Sequence, residues 1–233
     1  MRMLIFGTGR VGGSLARYAR HLGAEVDAVG RGADANSVRA LIDRADLIAA
    51  AIPDDRLSPW FAEWKGAIGA RRAIHFSGAL TVEGMQGYHP LYSFPKAPLE
   101  PAVMAGVAIA REAGGPRFAS ILPGATNPEL ELAAEDRAFY HALAVLSGNF
   151  AAHLWNETAK AFEDRFNLPP ETIMGSYLAG VVDRFRESPF DSMTGPLARR
   201  DAASVAANLA ALDTAPNLKA LYEAFLESAW PEK

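Results

Sequence analysis

The chain has 233 residues, half of them hydrophobic and 21% charged, so it carries enough apolar side chain for a buried core and lacks the composition of a disordered segment. Its 23 basic and 27 acidic residues give a formal net charge of −4 with no basic block, which excludes a nucleic-acid partner held mainly through phosphates. With no cysteine, there can be no disulfide, iron–sulfur cluster, thiolate zinc site or cysteine nucleophile.

The first predicted element is a strand at Arg2–Phe6, too short and too soon broken by Gly7 to be the apolar part of a targeting signal. A helix at 12–22, a strand at Glu25–Val29 and a short helix at 37–44 follow. Residues 47–52 form a third strand, apolar throughout, as befits a parallel strand covered on both faces. A helix at 60–67 leads to a strand at 72–76, and further strands are predicted at 88–94, 106–110 and 118–122, set apart by proline and glycine. This βαβ rhythm predicts an α/β fold with a doubly wound sheet.

Around Ala133 the character changes. Residues 135–166 contain no proline and only Gly148 as an interruption, which predicts one long helix ended by Asn167-Leu168-Pro169-Pro170. Helices at 172–186, 197–212 and Pro216–Ala229 complete an all-helical C-terminal part, with Glu232 and Lys233 as a frayed tail. Arg199 and Arg200 then fall near the start of the 197–212 helix, where cations oppose the dipole and call for an anionic partner. No apolar run approaches the ~20 residues needed to span a bilayer, so the expectation is a soluble, cytoplasmic protein with no membrane partner.

Gly7-Thr8-Gly9-Arg10-Val11-Gly12 fits G-x-G-x-x-G, and it lies between a predicted strand and a predicted helix. Gly7 permits the tight turn, Gly9 lets backbone N–H groups approach a pyrophosphate, and Gly12 lets helix and strand pack closely. The helix N-terminus adds unpaired N–H groups and the positive end of its dipole. The second strand ends in Val29-Gly30-Arg31-Gly32, with no carboxylate at its tip to bind a ribose 2′-hydroxyl. Arg31 there suits a 2′-phosphate, which favours NADP(H) with NAD as the alternative. The third strand ends in Ile52-Pro53-Asp54-Asp55, an edge beside the cofactor, with one of the two aspartates expected as a helix N-cap.

Hydride transfer leaves the protein to supply a proton donor and to hold the substrate. His75 and Ser77 close the fourth predicted strand and His89 lies on the next, so His75 and His89 are candidate donors and Ser77 a candidate orienting or relaying group. Asn149 shares a helix face with His153 and is a candidate substrate-holding residue; His21 is read as a structural core histidine. A Ser77–His89 hydrolase would lack the G-x-S-x-G elbow, and no metal-ligand spacing such as H-E-x-x-H occurs.

The glycine turn, Ile52-Pro53-Asp54-Asp55, His75-Phe76-Ser77-Gly78-Ala79-Leu80, His89-Pro90-Leu91, Tyr140-His141-Ala142 and Thr194-Gly195-Pro196-Leu197-Ala198-Arg199-Arg200-Asp201 come in the order seen in Rossmann-like proteins carrying a DUF2520 domain. The chain resembles that group over nearly its whole length. The group is similar to the 6-phosphogluconate-dehydrogenase-like superfamily, with pyrroline-5-carboxylate reductase, ketopantoate reductase and F420-dependent NADP oxidoreductases. The resemblance implies a dinucleotide-binding Rossmann domain at 1–133 and a helical substrate and dimerisation domain at 134–233. Hydroxyacid dehydrogenases and ketopantoate reductase place a lysine four residues before an asparagine on the long helix; if Asn149 matches that asparagine, Val145 stands where the lysine would be. The reading is therefore an NADP(H)-dependent oxidoreductase of a small polar, carboxylated metabolite that uses a histidine or serine for the proton. The alternative is a dinucleotide-binding sensor without turnover. The apolar breadth of the helical part, including Phe139, Leu143, Phe150, Phe162, Leu221 and Phe225, points to a homodimer.

Overall fold

The computed structural model describes residues 1–231; the tail expected at Glu232 and Lys233 lies outside the described residues. The chain divides into two compact units, Met1–Gly148 and Asn149–Lys233. The first unit thus extends past the change of character at Ala133 and keeps the first turns of the long predicted helix.

In the first unit, among the described residues, seven strands form one sheet in the order β2-β1-β3-β4-β5-β6-β7. They are β1 (Arg2–Phe6), β2 (Glu25–Val29), β3 (Leu47–Ala50), β4 (Arg72–His75), β5 (Gln86–Pro90), β6 (Ile109–Glu112) and β7 (Glu129–Leu132). The first five run parallel, β5 and β6 pair antiparallel, and β6 and β7 pair parallel. Alternation along the central strands builds two cores. Met3, Ile5, Leu47 and Ala49 pack on one face with Leu15, Ala16, Tyr18 and Ala19 of α1 (Arg10–His21). Leu4, Phe6, Ile48 and Ala50 pack on the other with Val38 and Ile42 of α2 (Ala35–Arg44) and Leu57, Trp64 and Ile68 of α3 (Asp54–Ile68). Helices on both faces are what make a uniformly apolar strand stable in the middle of a sheet.

The reversal of strand order beside β1 opens a crevice at the carboxyl ends of β1 and β3. Two glycines shape it. Gly7 has φ 101°, and a Cβ there would lie 2.1 Å from the Ala51 carbonyl oxygen; a Cβ on Gly12 would lie 1.9 Å from that of Gly7. Only glycine fits either position.

Several predicted elements are corrected. Residues 118–122 form no strand: Phe118–Ile121 is a short helix, following α4 (Pro101–Ala105) and numbered α5. Phe118 and Ile121 are both buried three residues apart, a helical spacing, and the Leu122 N–H donates to the Phe118 carbonyl. Strand β7 and helix α4 were not foreseen. Helix α3 starts six residues before Trp60, where the helix was expected to begin, and runs through Pro59. His21 is exposed at the end of α1 and is no core histidine.

The long predicted helix is a 3₁₀ turn at Ala134–Asp136, then α6 (Arg137–Ala144), a π segment at Val145–Phe150 and α7 (Ala151–Phe166). The π segment holds Gly148 and Asn149, and such wide turns recur at functional sites. Asn167 ends α7 in the left-handed conformation, φ 53°.

The second unit also holds α8 (Pro170–Glu187), α9 (Gly195–Arg199), α10 (Ala202–Ala211) and α11 (Pro216–Ala229). The helix expected at 197–212 is broken at Arg200, φ 54°, because the Asp201 side chain accepts the Ser204 N–H and starts a new helix. Arg199 therefore ends α9, where a cation suits the dipole, and the expected opposition does not arise. An apolar cavity of about 620 Å³ lies among α7, α9 and α11, with Leu154, Leu197, Leu221 and Phe225 in its wall. No helix among the described residues is long and apolar enough to cross a membrane.

Candidate functional site

A cleft of about 900 Å³ runs along the carboxyl ends of β1, β2 and β3. Gly7, Thr8, Gly9, Arg10, Val11, Arg31, Ile52 and Pro53 line it, together with Asp54, Trp60 and Phe76. Gly12 lies beneath, packed against Gly7. Gly9 differs from its two neighbours: a Cβ on it would meet nothing within 4 Å. No packing constraint accounts for a glycine there, so the turn stays bare where a ligand's phosphate would need to come close. Gly9 is the N-cap of α1, which has no side-chain cap and no acid in its first turn, leaving its N–H groups free of competing side chains. Arg10 also lines the cleft, its guanidinium donating to the Phe94 carbonyl at 3.3 Å. Arg31 is exposed at the end of β2.

The expected N-cap role of Asp54 and Asp55 is corrected. Pro53 occupies the N-cap of α3, and the Asp54 carboxylate instead accepts the Ser77 hydroxyl at 2.7 Å. Ser77 in turn accepts from the N–H groups of Ala79 and Leu80, so its only hydrogen is committed and the hydroxyl fixes the turn after β4.

The next side chains in form a polar cluster. His75, at the end of β4, has no exposed surface, and its Nε2 lies 3.8 Å from Glu112 Oε1. The buried Arg137 guanidinium donates to the Ser77 carbonyl at 2.6 Å and lies 3.9 Å from the same glutamate oxygen. His89 Nδ1 and the Tyr140 hydroxyl are 2.9 Å apart, and the rings of His89 and His141 meet edge to face at 5.9 Å. Gly78 makes room for both imidazoles: a Cβ there would lie 2.5 Å from His141 and 3.1 Å from His89. Burial pushes both buried-side histidines down to about 4, helped at His75 by Arg137 and at His89 by His141 and then Arg137. Both rings are neutral at pH 7.

His75, Ser77 and His89 are thus brought together, while Asn149 lies exposed in the second unit. Sequence reasoning missed Arg137 and Glu112 and gave Tyr140 no role. The available signal was the helical spacing of 137, 140 and 141, which places these three on one face of α6.

A doubly wound, mostly parallel sheet with a bare glycine turn at its switch point defines the class, a Rossmann-type nucleotide fold with a helical C-terminal part. Residues 110–229 match the family described as a domain of unknown function, DUF2520, just over half of the chain. The chain belongs to that family. Its fold is similar to that of a candidate NADP oxidoreductase from Bacteroides fragilis, at 21% identity, a TM-score of 0.74 and coverage of 98% of this chain and 97% of that one. It is also similar to a protein from Thermotoga maritima (18% identity, TM-score 0.72, 97% and 96% covered). A third similar structure is Plasmodium falciparum pyrroline carboxylate reductase with NADP bound (12% identity, TM-score 0.61, 98% and 95% covered). No curated protein matches the chain in sequence.

Proposed function

We propose that this chain is an NADP(H)-dependent oxidoreductase acting on a small polar, carboxylated metabolite. The observation that carries the proposal is the cleft: an open Gly9 over a free helix N-terminus, Arg31 at its β2 end, and a cluster of neutral histidines reached through Asp54 at its β3 end. The pyrophosphate is held by the backbone of residues 8–12, and the 2′-phosphate by Arg31, with Arg10 adding a second positive charge. When bound, NADPH supplies a hydride equivalent. The names of similar structures support this class, since one is a pyrroline carboxylate reductase with NADP bound and another an imine reductase from Streptomyces aurantiacus.

Titration of cofactor binding tests the reading. NADPH binds more tightly than NADH, and Arg31→Ala weakens NADPH by roughly 10- to 100-fold, the worth of a charge-assisted hydrogen bond, while leaving NADH unchanged. Equal affinity for both cofactors, indifferent to the substitution, would mean that Arg31 does not hold a 2′-phosphate.

The helical unit carries the pairing of two copies in this proposal. Phe150, Tyr177, Phe185 and Phe190 are each more than half exposed, and the apolar cavity opens among helices of the same unit. Obligate pairs bury more than ~2,000 Å² of such surface. Sedimentation at micromolar concentration gives about twice the 24.9 kDa chain mass; a single species at the chain mass counts against the pairing.

A further inference from the structure

We infer that Tyr140, held by His89, is the group that delivers the proton to the substrate. This rests on the oxidoreductase reading and adds the proton donor to it.

Most of the other polar groups nearby are buried or hydrogen-bonded; His141 is partly exposed and meets His89 ring to ring. The Ser77 hydrogen goes to Asp54, and the buried Arg137 guanidinium donates to the Ser77 carbonyl and lies 3.9 Å from Glu112. His75 has no solvent-accessible surface, so a substrate cannot reach it without opening the core. Tyr140 and His89 are both partly exposed, and their contact is the cluster's only hydrogen bond between two uncharged side chains among the described residues. The pair also lies close to the cleft: Asp54 in the cleft wall binds Ser77, and the adjacent Gly78 lies against the His89 ring.

With its proton on Nδ1, His89 donates to the phenol oxygen and leaves the phenol hydrogen free for a substrate. In the reduction of a carbonyl or imine, the C=O or C=N π bond breaks as the carbon takes the hydride that a bound reduced nicotinamide would supply. The Tyr140 O–H bond breaks, and its proton forms the new O–H or N–H bond. The phenolate left behind is held by the His89 N–H and by the positive charge of Arg137, and takes a proton from solvent once product leaves. Burial pushes the Tyr140 phenol up, and Arg137 opposes that rise, so the nearby cation eases the transient phenolate. The Tyr140–His89 pair is neutral before the transfer, as suits an uncharged acceptor such as a carbonyl oxygen.

The test compares wild type with Tyr140→Phe, which removes one oxygen from a partly exposed ring. NADPH oxidation is followed with a panel of 2-oxo acids, aldehydes and cyclic imines, NADPH affinity is measured separately, and the His89 imidazole nitrogens are observed by NMR without cofactor. The expected result is unchanged NADPH affinity, a displaced His89 Nδ1 signal and a loss of at least roughly 100-fold in kcat on whichever panel member wild type reduces. Wild-type kcat in the variant would overturn the assignment and leave the oxidoreductase reading standing, as would an unmoved His89 signal. If wild type binds NADPH but reduces no panel member, the oxidoreductase reading falls, and this inference with it.

Discussion

Gly9→Val leaves the protein folded, its Tm lower by only the few degrees that losing a glycine N-cap costs, and abolishes binding of both NADPH and NADH. The backbone at Gly9 is extended, φ −72°, a conformation valine adopts readily, and the added side chain meets no protein atom within 4 Å at its Cβ. It projects instead into the space over the helix N-terminus, where it keeps the pyrophosphate from the N–H groups. Gly12→Val behaves in the opposite way. Its Cβ would lie 1.9 Å from the Gly7 carbonyl oxygen, so helix α1 must move off β1 and the variant fails to fold. Thermal unfolding and cofactor titration of the two variants separate the outcomes. If Gly9→Val binds either cofactor as wild type does, the cleft is not where the dinucleotide sits.

Acid destabilises the native protein well above the range in which carboxylates titrate. His75 is pushed down from 6.5 to about 4, by burial first and by Arg137 second, against a smaller opposing pull from Asp54. Between these values the unfolded chain binds a proton at this residue and the folded protein does not, so stability rises with pH across that window and falls as pH drops through it. The full effect is about 3 kcal/mol for His75 alone, a large part of the roughly 5–15 kcal/mol that holds a typical domain. His89, shifted in the same direction, adds to it. Denaturant unfolding from neutral pH down to about pH 4.5 measures the slope, and His75→Asn flattens it. A wild-type stability flat across that interval would mean that the ring is not held neutral.

How much of this was legible in the sequence follows from how local each cause is. The glycine turn, Arg31 and the βαβ rhythm could be read directly, because a turn, a strand tip and an alternating apolar pattern are set by residues within a few positions of each other. Strand β1 shows this: Met3 and Ile5 feed one core and Leu4 and Phe6 the other, and that alternation is written in five residues. The antiparallel pairing of β5 and β6 and the addition of β7 were not legible, since strand partners 20 or so residues apart are chosen by the sheet edge left open, and not by local pattern. The helix at Phe118–Ile121 was lost for a related reason: four residues are too few for a period to declare itself.

At the site, the sequence supplied the histidines as candidates, because their side-chain chemistry suits proton transfer wherever they lie. It could not supply their states or partners. Ser77 spends its hydrogen on Asp54, 23 residues earlier, and the Arg137 guanidinium reaches the Ser77 carbonyl, 60 residues away; both contacts exist only once β4, α3 and α6 are packed together. Desolvation is likewise a property of the packed fold, and it is what holds His75 and His89 neutral at pH 7. The sequence by itself determined a nucleotide-type turn and the residues available beside it. Only the tertiary structure decided which of those residues are already hydrogen-bonded or buried, because both depend on distances that no local pattern encodes.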